Sequence, residues 1–186
     1  MTENDIIKGC LKNNRESQKA LYDMFYTKML GICQRYAKDN TEAKEILQEG
    51  FYKVFGDLKN FKVTGSFEEW LRKIIVNSCI EHLRRNKQNL IVSTVYATKA
   101  PVKAEEAMSD EELVLQIGSS EIIKAVQQLT PAYRMVFNLF SIEKYSHKEI
   151  AGMLDISEDT SESNLSKAKF NLRKNLRQLI KNSDGR

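Results

Sequence analysis

Residues 146–165 read Ser-His-Lys-Glu-Ile-Ala-Gly-Met-Leu-Asp-Ile-Ser-Glu-Asp-Thr-Ser-Glu-Ser-Asn-Leu, and this stretch decides the fold of the C-terminal part of the chain. Ser146 precedes Glu149 with the spacing of a capping box, which predicts a helix that begins there and ends near Leu154. After a turn at residues 155–157, a second helix is predicted from about Asp159 to Lys181. Two helices joined by so short a turn are typical of the helix-turn-helix motif, whose second helix enters the major groove of DNA.

The side chains of this segment support that interpretation. Ile150, Leu154, Ile156 and Leu165 are predicted to lock the two helices at a steep angle, and the small Ala151 allows their close approach. The second helix is predicted to present polar groups suited to base edges and phosphates, namely Thr160, Ser161, Ser163, Asn164 and Lys167. A basic flank follows, made of Lys169, Arg173, Lys174 and Arg177. An ordinary helical hairpin with a polar face is the alternative, and the basic flank favours DNA binding.

The rest of the chain is also predicted to be helical. Only two prolines and eight glycines interrupt the 186 residues, and no segment alternates as a strand would. Helices are predicted over about residues 5–11, 16–37, 42–56, 119–129 and 131–143, and a further helix follows the cap at Ser66 and ends in the basic run of residues 84–87. The predicted fold class is therefore all-α, with two small helical domains over residues 1–90 and 119–186. A flexible acidic linker is predicted over residues 91–118, with a helical piece near residues 110–117.

Basic and acidic residues are unevenly distributed between these parts. Residues 1–90 carry 16 basic against 12 acidic side chains (net +4), residues 91–118 carry 2 against 5 (net −3), and residues 119–186 carry 11 against 8 (net +3). Two mildly basic blocks around an acidic one suit two modules that face nucleic acid. An unspecialised solvated surface would have a similar charge pattern.

Cysteine usage and hydropathy indicate the compartment. Cys10, Cys33 and Cys79 are odd in number and widely spaced, and the polar start Thr2-Glu3-Asn4-Asp5 does not resemble a signal peptide. No segment approaches the roughly 20 apolar residues of a membrane span. We therefore expect a cytoplasmic protein with reduced thiols and no direct insertion into a membrane.

Other chemistries have weaker support. Cys79 and His82 have the spacing of half a zinc site, but no second pair follows, and a buried thiol is favoured. Glu42, Glu45 and Glu49 share a helical face, which could indicate carboxylate chemistry. Without a histidine partner or a glycine-rich phosphate loop, a solvated or partner-binding face is favoured instead. We expect no enzymatic activity, no cofactor and no metal.

Both halves resemble a known family when they are taken together. The run Glu42-Ala43-Lys44-Glu45-Ile46-Leu47-Gln48-Glu49-Gly50-Phe51 resembles the polymerase-binding helix of the extracytoplasmic-function sigma factors of bacterial RNA polymerase. Gly65-Ser66-Phe67-Glu68-Glu69-Trp70-Leu71, with Ile74, Asn77 and Leu83-Arg84-Arg85 after it, resembles their promoter-melting segment. Residues 129–137 and 145–151 resemble their fourth conserved region.

The resemblance implies a sigma factor that binds core RNA polymerase and directs promoter recognition and DNA melting. It implies polymerase contacts at Glu45, Gln48 and Glu49, with the linker threaded toward the active-site and RNA-exit channel. It implies that the loop Phe61 to Ser66 captures a flipped base of the −10 element, while Trp70 is expected in the core. The implied −10 contacts are Phe61, Lys62, Lys73, Asn77, Arg84 and Arg85. The implied −35 contacts are Thr160, Ser161, Ser163, Asn164, Lys167 and Arg173. Besides promoter DNA, an anti-sigma factor is an implied partner.

The chain departs from the family at the start of its second motif helix. Asp159 stands where glycine is usual and Glu162 where lysine or arginine is common. These carboxylates either interact favourably with the positive N-terminal end of the helix dipole or face DNA. In the second case they repel phosphates but can accept a hydrogen bond from the amino group of cytosine. Two other functions remain open, a regulator of duplex DNA with residues 1–90 as a sensor or dimerisation domain, and an adaptor that binds polymerase without DNA. The segment 61–85, which a duplex-only regulator does not need, separates the first of these from a sigma factor.

Overall fold

The structure is a computed structural model that describes residues 2–62, 65–85 and 118–184. All regular elements in these ranges are helical, which confirms the all-α class. The predicted linker lies outside the described residues apart from Gly118, and so does the helical piece predicted near residues 110–117. The helices are α1 (Glu3–Leu11), α2 (Arg15–Tyr36), α3 (Asn40–Asp57), α4 (Phe67–Arg85), α5 (Ser119–Gln127), α6 (Pro131–Phe137), α7 (His147–Leu154) and α8 (Glu158–Asp184).

Local capping explains where the N-terminal helices begin. Asn14 accepts a hydrogen bond from the Ser17 amide at 2.8 Å and starts α2. Asp39 accepts from the Glu42 amide at 2.9 Å and starts α3. Ser66 accepts from the Glu69 amide at 3.3 Å and caps the start of α4.

The chain divides into two compact units, Met1–His82 and Leu83–Arg186. In the first unit α2 packs against both α1 and α3. Helices α3 and α4 come close at Gly50, where an added Cβ would lie 2.5 Å from Cδ1 of Ile75. The core of this unit is made of apolar side chains that include Leu21, Phe25, Ile32, Ile46, Leu47, Val54, Leu71 and Ile75.

In the second unit the long helix α8 packs against α5, α6 and α7. A π-helical turn over Asn138–Ile142 extends α6, and Lys144 beyond it has a positive φ of 65°. Arg134 is buried in this unit and its Nη1 donates to the carbonyl of Gln127 at 2.6 Å, which fastens α6 to the end of α5. The Asn175 side chain donates to the Ala125 carbonyl at 3.1 Å and fastens α8 to α5.

Candidate nucleic-acid interface

Helices α7 and α8 form the predicted helix-turn-helix. The capping box at the start of α7 is confirmed, since the Ser146 amide donates to Oε2 of Glu149 at 2.8 Å and the Glu149 amide donates to Oγ of Ser146 at 3.3 Å. Hydrogen bonds from the Ser146 side chain and backbone hold the pKa of Glu149 below its ordinary value. At the end of α7, Asp155 adopts the left-handed conformation with φ 57° and turns the chain toward α8.

Ser157 caps α8, and the acidic residues after it do not. The Thr160 amide donates to Oγ of Ser157 at 3.1 Å. Asp159 and Glu162 are exposed, and neither carboxylate forms a hydrogen bond or ion pair with any other residue that the structure describes. The cap at Ser157 therefore does not involve them, and both carboxylates are open to solvent.

The prediction that Ser161 and Asn164 face outward is wrong. Ser161 is 0% exposed and Asn164 is 3% exposed. Both fall on the same side of α8 as the buried Leu165 and Ala168, because side chains three or four positions apart share one face of a helix. These two polar side chains therefore face the interior of the motif.

The other predicted −35 residues are accessible. Thr160, Ser163 and Lys167 are half-exposed and Arg173 is exposed. The outward face of α8 also carries Ser166, which the polar pattern did not single out, and Lys169 of the predicted basic flank. The periodicity set by Leu165 and Ala168 would have identified Ser166 as outward and Ser161 as inward.

In the first unit, an aromatic cluster lies where the predicted base-capturing loop begins. Phe61 is half-buried, and its ring meets Phe67 edge-on at 5.2 Å between centroids and Trp70 at 5.3 Å. Phe67 in turn contacts Phe25 of α2 at 5.5 Å, which anchors the cluster to the core. Trp70 itself is half-buried, so the expectation that it belongs to the core holds only in part. Residues 63 and 64 of the loop lie outside the described residues.

The polar side chains predicted to contact the −10 element are all exposed. Lys62 lies directly after Phe61, while Lys73 and Asn77 lie one helical turn apart on the same face of α4. Arg84 and Arg85 end that helix and are also exposed. The structure therefore leaves a basic and amide-bearing stripe along α4 open to solvent.

The predicted polymerase-binding residues are on α3. Glu45 and Gln48 are exposed, whereas Glu49 is partly buried and its Oε1 lies 3.6 Å from Nδ1 of His82. Tyr52, one turn after Gln48, is 84% exposed, which is unusual for an aromatic side chain. Tyrosine is among the side chains that most often anchor protein–protein contacts, so the exposed Tyr52 makes this face of α3 a candidate protein-binding surface.

The assumption that the three glutamates of α3 lack a histidine partner is wrong. Glu42 is buried, its Oε2 accepts from the Lys38 amide at 2.6 Å, and its Oε1 lies 3.4 Å from Nε2 of His82. Sequence patterns missed this contact because His82 lies on a different helix. Cys79 is a buried thiol that forms no disulfide, as favoured, and no cluster of three metal-ligating side chains occurs within the described ranges.

Two family models match the chain in the order of its two units. Sigma-70 region 2 matches residues 21–89, and Sigma-70, region 4 matches residues 119–171. The chain belongs to the sigma-70 family of sigma factors. As a sigma factor it directs promoter-specific initiation of transcription, and it is not itself an enzyme. The resemblance inferred from the sequence is thereby confirmed.

Known sigma factors match this one over nearly its whole length. The extracytoplasmic-function sigma factor SigW of Bacillus subtilis is 25% identical over 179 residues, which are 93% of this chain and 96% of that protein. RNA polymerase sigma-H factor of Pseudomonas aeruginosa is 25% identical over 185 residues, 96% of each chain. The sigma factor RpoE of Bartonella quintana, solved with the anti-sigma factor NepR, has 16% identity and a TM-score of 0.49, over 86% of this chain and 96% of that one.

No helix among the described residues of this sigma factor is long and apolar enough to cross a membrane.

Proposed function

We propose that this sigma factor binds core RNA polymerase through the exposed face of α3, opens promoter DNA with α4 and the loop before it, and reads the −35 element with α8. The observation that carries the proposal is the order of the two sigma-70 regions on two helical units. We assign residues 1–90 to the first module, 91–118 to the linker and 119–186 to the second module.

The polymerase contact is assigned to Glu45, Gln48 and Glu49. The first two side chains are exposed on one stripe of α3, and the third borders that stripe. Two carboxylates on this face complement a basic partner, and the hydrogen-bonding amide of Gln48 adds directional specificity. The fold of α3 does not use Glu45 or Gln48, so both side chains remain free to serve a partner.

The −10 contact is assigned to Phe61, Lys62, Lys73, Asn77, Arg84 and Arg85. A melted strand needs aromatic surfaces for its bases and cations for its phosphates, and both occur here. Phe61 with Trp70 supplies the aromatic surface, while the cations and Asn77 lie exposed along α4 and its approach. Holding the strand in this way favours the open promoter over the duplex.

The −35 contact is assigned to Thr160, Ser163, Lys167 and Arg173. The N-terminal turns of a recognition helix meet base edges, and basic side chains farther along hold phosphates. Ser161 and Asn164 are excluded from this set because they are buried.

We further propose that the protein acts in the cytoplasm and is held inactive by an anti-sigma factor. The solved relatives RpoE and CnrH were each captured with a partner protein, NepR and the cytosolic domain of CnrY. The cytoplasm follows from the need to meet RNA polymerase and DNA.

Transcription in vitro with core polymerase and a genomic promoter library tests the proposal. We expect specific initiation at a subset of promoters that share −10 and −35 elements. No specific initiation above core polymerase alone, with active polymerase and folded protein, would contradict it. Tight duplex binding without polymerase, together with that failure, would instead indicate a conventional DNA-binding regulator.

A further inference from the structure

His147, the first residue of α7, contacts two other elements of the helix-turn-helix unit. Its ring stacks on Phe140 of the π-helical turn, with centroids 4.4 Å apart and planes inclined by 20°. Its Nδ1 lies 2.9 Å from Oγ of Ser161, and one of these two atoms donates a hydrogen bond to the other. Ser161 is in the first turn of α8 and is fully buried. One imidazole therefore joins the turn before α7 to the start of α8.

This hydrogen bond constrains the rotation of α8 about its own axis. Each residue advances a helix by about 100°, so a shift of one position would carry Ser161 away from His147. Its hydroxyl would then be buried without this partner, which is unfavourable. A rotation of that size would also move Leu165 and Ala168 off the buried face, so the hydrogen bond adds a directional constraint to their apolar contacts.

The rotation decides which side chains α8 presents. With Ser161 inward, Thr160 and Ser163 of the assigned −35 set remain accessible near the start of the helix, between the fully exposed Asp159, Glu162 and Ser166. We propose that His147 is a positioning residue for −35 recognition, which fixes through Ser161 the set of α8 side chains that meets the bases. This inference rests on the proposed function, since it requires that α8 reads DNA.

Four substitutions separate the hydrogen bond from the stack. His147→Phe keeps a flat ring against Phe140 and removes Nδ1. His147→Asn loses the ring but retains a polar amide atom near the place of Nδ1. Ser161→Ala removes the hydroxyl that pairs with Nδ1 of His147 and takes away only one oxygen atom. It therefore tests the same hydrogen bond if His147→Phe fails to fold. Phe140→Leu removes the stack and leaves the hydrogen-bonding groups in place.

The full-length variants are tested with core polymerase on a promoter library randomised only in the −35 element. His147→Phe and Ser161→Ala are expected to weaken binding to the parent's preferred promoter about five- to tenfold, the range for loss of a buried hydrogen bond. Both are also expected to broaden the base preference. His147→Asn and Phe140→Leu should keep the parent's preference. The double variant His147→Phe with Ser161→Ala should be no worse than either single one, since both remove the same contact.

A template with a premelted −10 region and no −35 element provides the control. A variant that is merely destabilised loses initiation on this template as well, whereas a variant that only mispositions α8 does not. Initiation there should be unchanged in every variant. Two results would overturn the role of His147, provided that the parent protein still initiates specifically. One is an equal loss of initiation on both templates. The other is an unchanged −35 preference in both His147→Phe and Ser161→Ala. A parent that never initiates specifically would overturn the proposed function itself, and this inference with it.

Discussion

Nε2 of His82 lies 3.4 Å from Oε1 of Glu42, and these side chains are only 13% and 10% exposed. The contact joins α4 to the first turn of α3. His82→Ala would leave the buried carboxylate of Glu42 without this partner, so we expect a loss of about 1–3 kcal/mol in the free energy of unfolding. Urea unfolding followed by the fluorescence of Trp70, the one tryptophan of the chain, reports on this unit.

Glu81, the neighbour of His82, provides the matched control for that experiment. Its Oε2 pairs with Nζ of Lys53 at 2.6 Å, but on the surface. Exposed ion pairs contribute little, so Glu81→Ala should cost about 0.5 kcal/mol or less. Equal losses in the two variants would show that burial gives the His82–Glu42 contact no added weight.

Gly9 in α1 is predicted to tolerate no side chain. A Cβ at this position would clash with Oγ of Ser17 and lie 2.7 Å from its Cβ on α2. We expect Gly9→Ala to destabilise the protein by about 1–3 kcal/mol, since α1 and α2 would have to separate. Gly31, inside α2, has open space around the same position. Gly31→Ala should instead be neutral or stabilise by up to about 1 kcal/mol in thermal unfolding, and a loss there as large as at Gly9 would refute the packing argument.

These contacts show which parts of the structure local sequence determines. The caps at Asp39, Ser66 and Ser146 were predictable because a capping bond joins residues three positions apart. The burial of Ser161 was missed because residue polarity was given more weight than the helical period of Leu165 and Ala168. The partner of Glu42 could not be predicted, since it depends on how α4 packs against α3.

Polymerase binding and promoter opening are expected to respond to different substitutions. Asn77→Ala should reduce open-complex formation about five- to tenfold, the cost of one hydrogen bond to DNA, and leave binding to core polymerase unchanged. Gln48→Ala should instead weaken the binding of core polymerase, because its exposed amide lies on the candidate polymerase-binding face of α3. Pull-down with core polymerase measures the first step, and permanganate reactivity of promoter thymines the second. Parallel losses in both assays for Asn77→Ala would argue against its role in the −10 contact.

Glu162 is predicted to weaken the affinity of α8 for DNA. Its exposed carboxylate repels phosphates, so Glu162→Lys should tighten binding to −35 duplex DNA and steepen the dependence of log K on log salt by about 1 to 2. Glu3→Lys makes the same change of charge in α1, in the other unit, and should leave the salt dependence nearly unaltered. A tighter complex with an unchanged slope, or an equal change in both variants, would mean that Glu162 does not face the DNA.

The capping box of α7 should be sensitive to acid. Because the Ser146 hydrogen bonds lower the pKa of Glu149 in the folded chain, they stabilise α7 above the ordinary glutamate pKa of 4.5. This stabilisation is lost as the pH falls through the lowered folded pKa. Hydrogen exchange of residues 146–156 should therefore show less protection in Glu149→Gln than in the parent at neutral pH. The difference should shrink below pH 4.5. The carboxylate of Glu162 makes no such hydrogen bonds, so Glu162→Gln should show the same protection as the parent at every pH. A difference in protection between Glu149→Gln and the parent that persists in acid would contradict the assignment.

The hydroxyl of Ser157 provides the cap of α8, so positions 159 and 162 do not provide it. Under the proposed reading of the −35 element by α8, we expect substitutions at those two positions to change promoter preference while the cap of α8 stays intact. After gene duplication, the two copies can acquire separate sets of target promoters by single substitutions at these positions, and every intermediate protein still folds. At the start of this helix, the cap at Ser157 and the exposed positions 159 and 162 can therefore evolve independently.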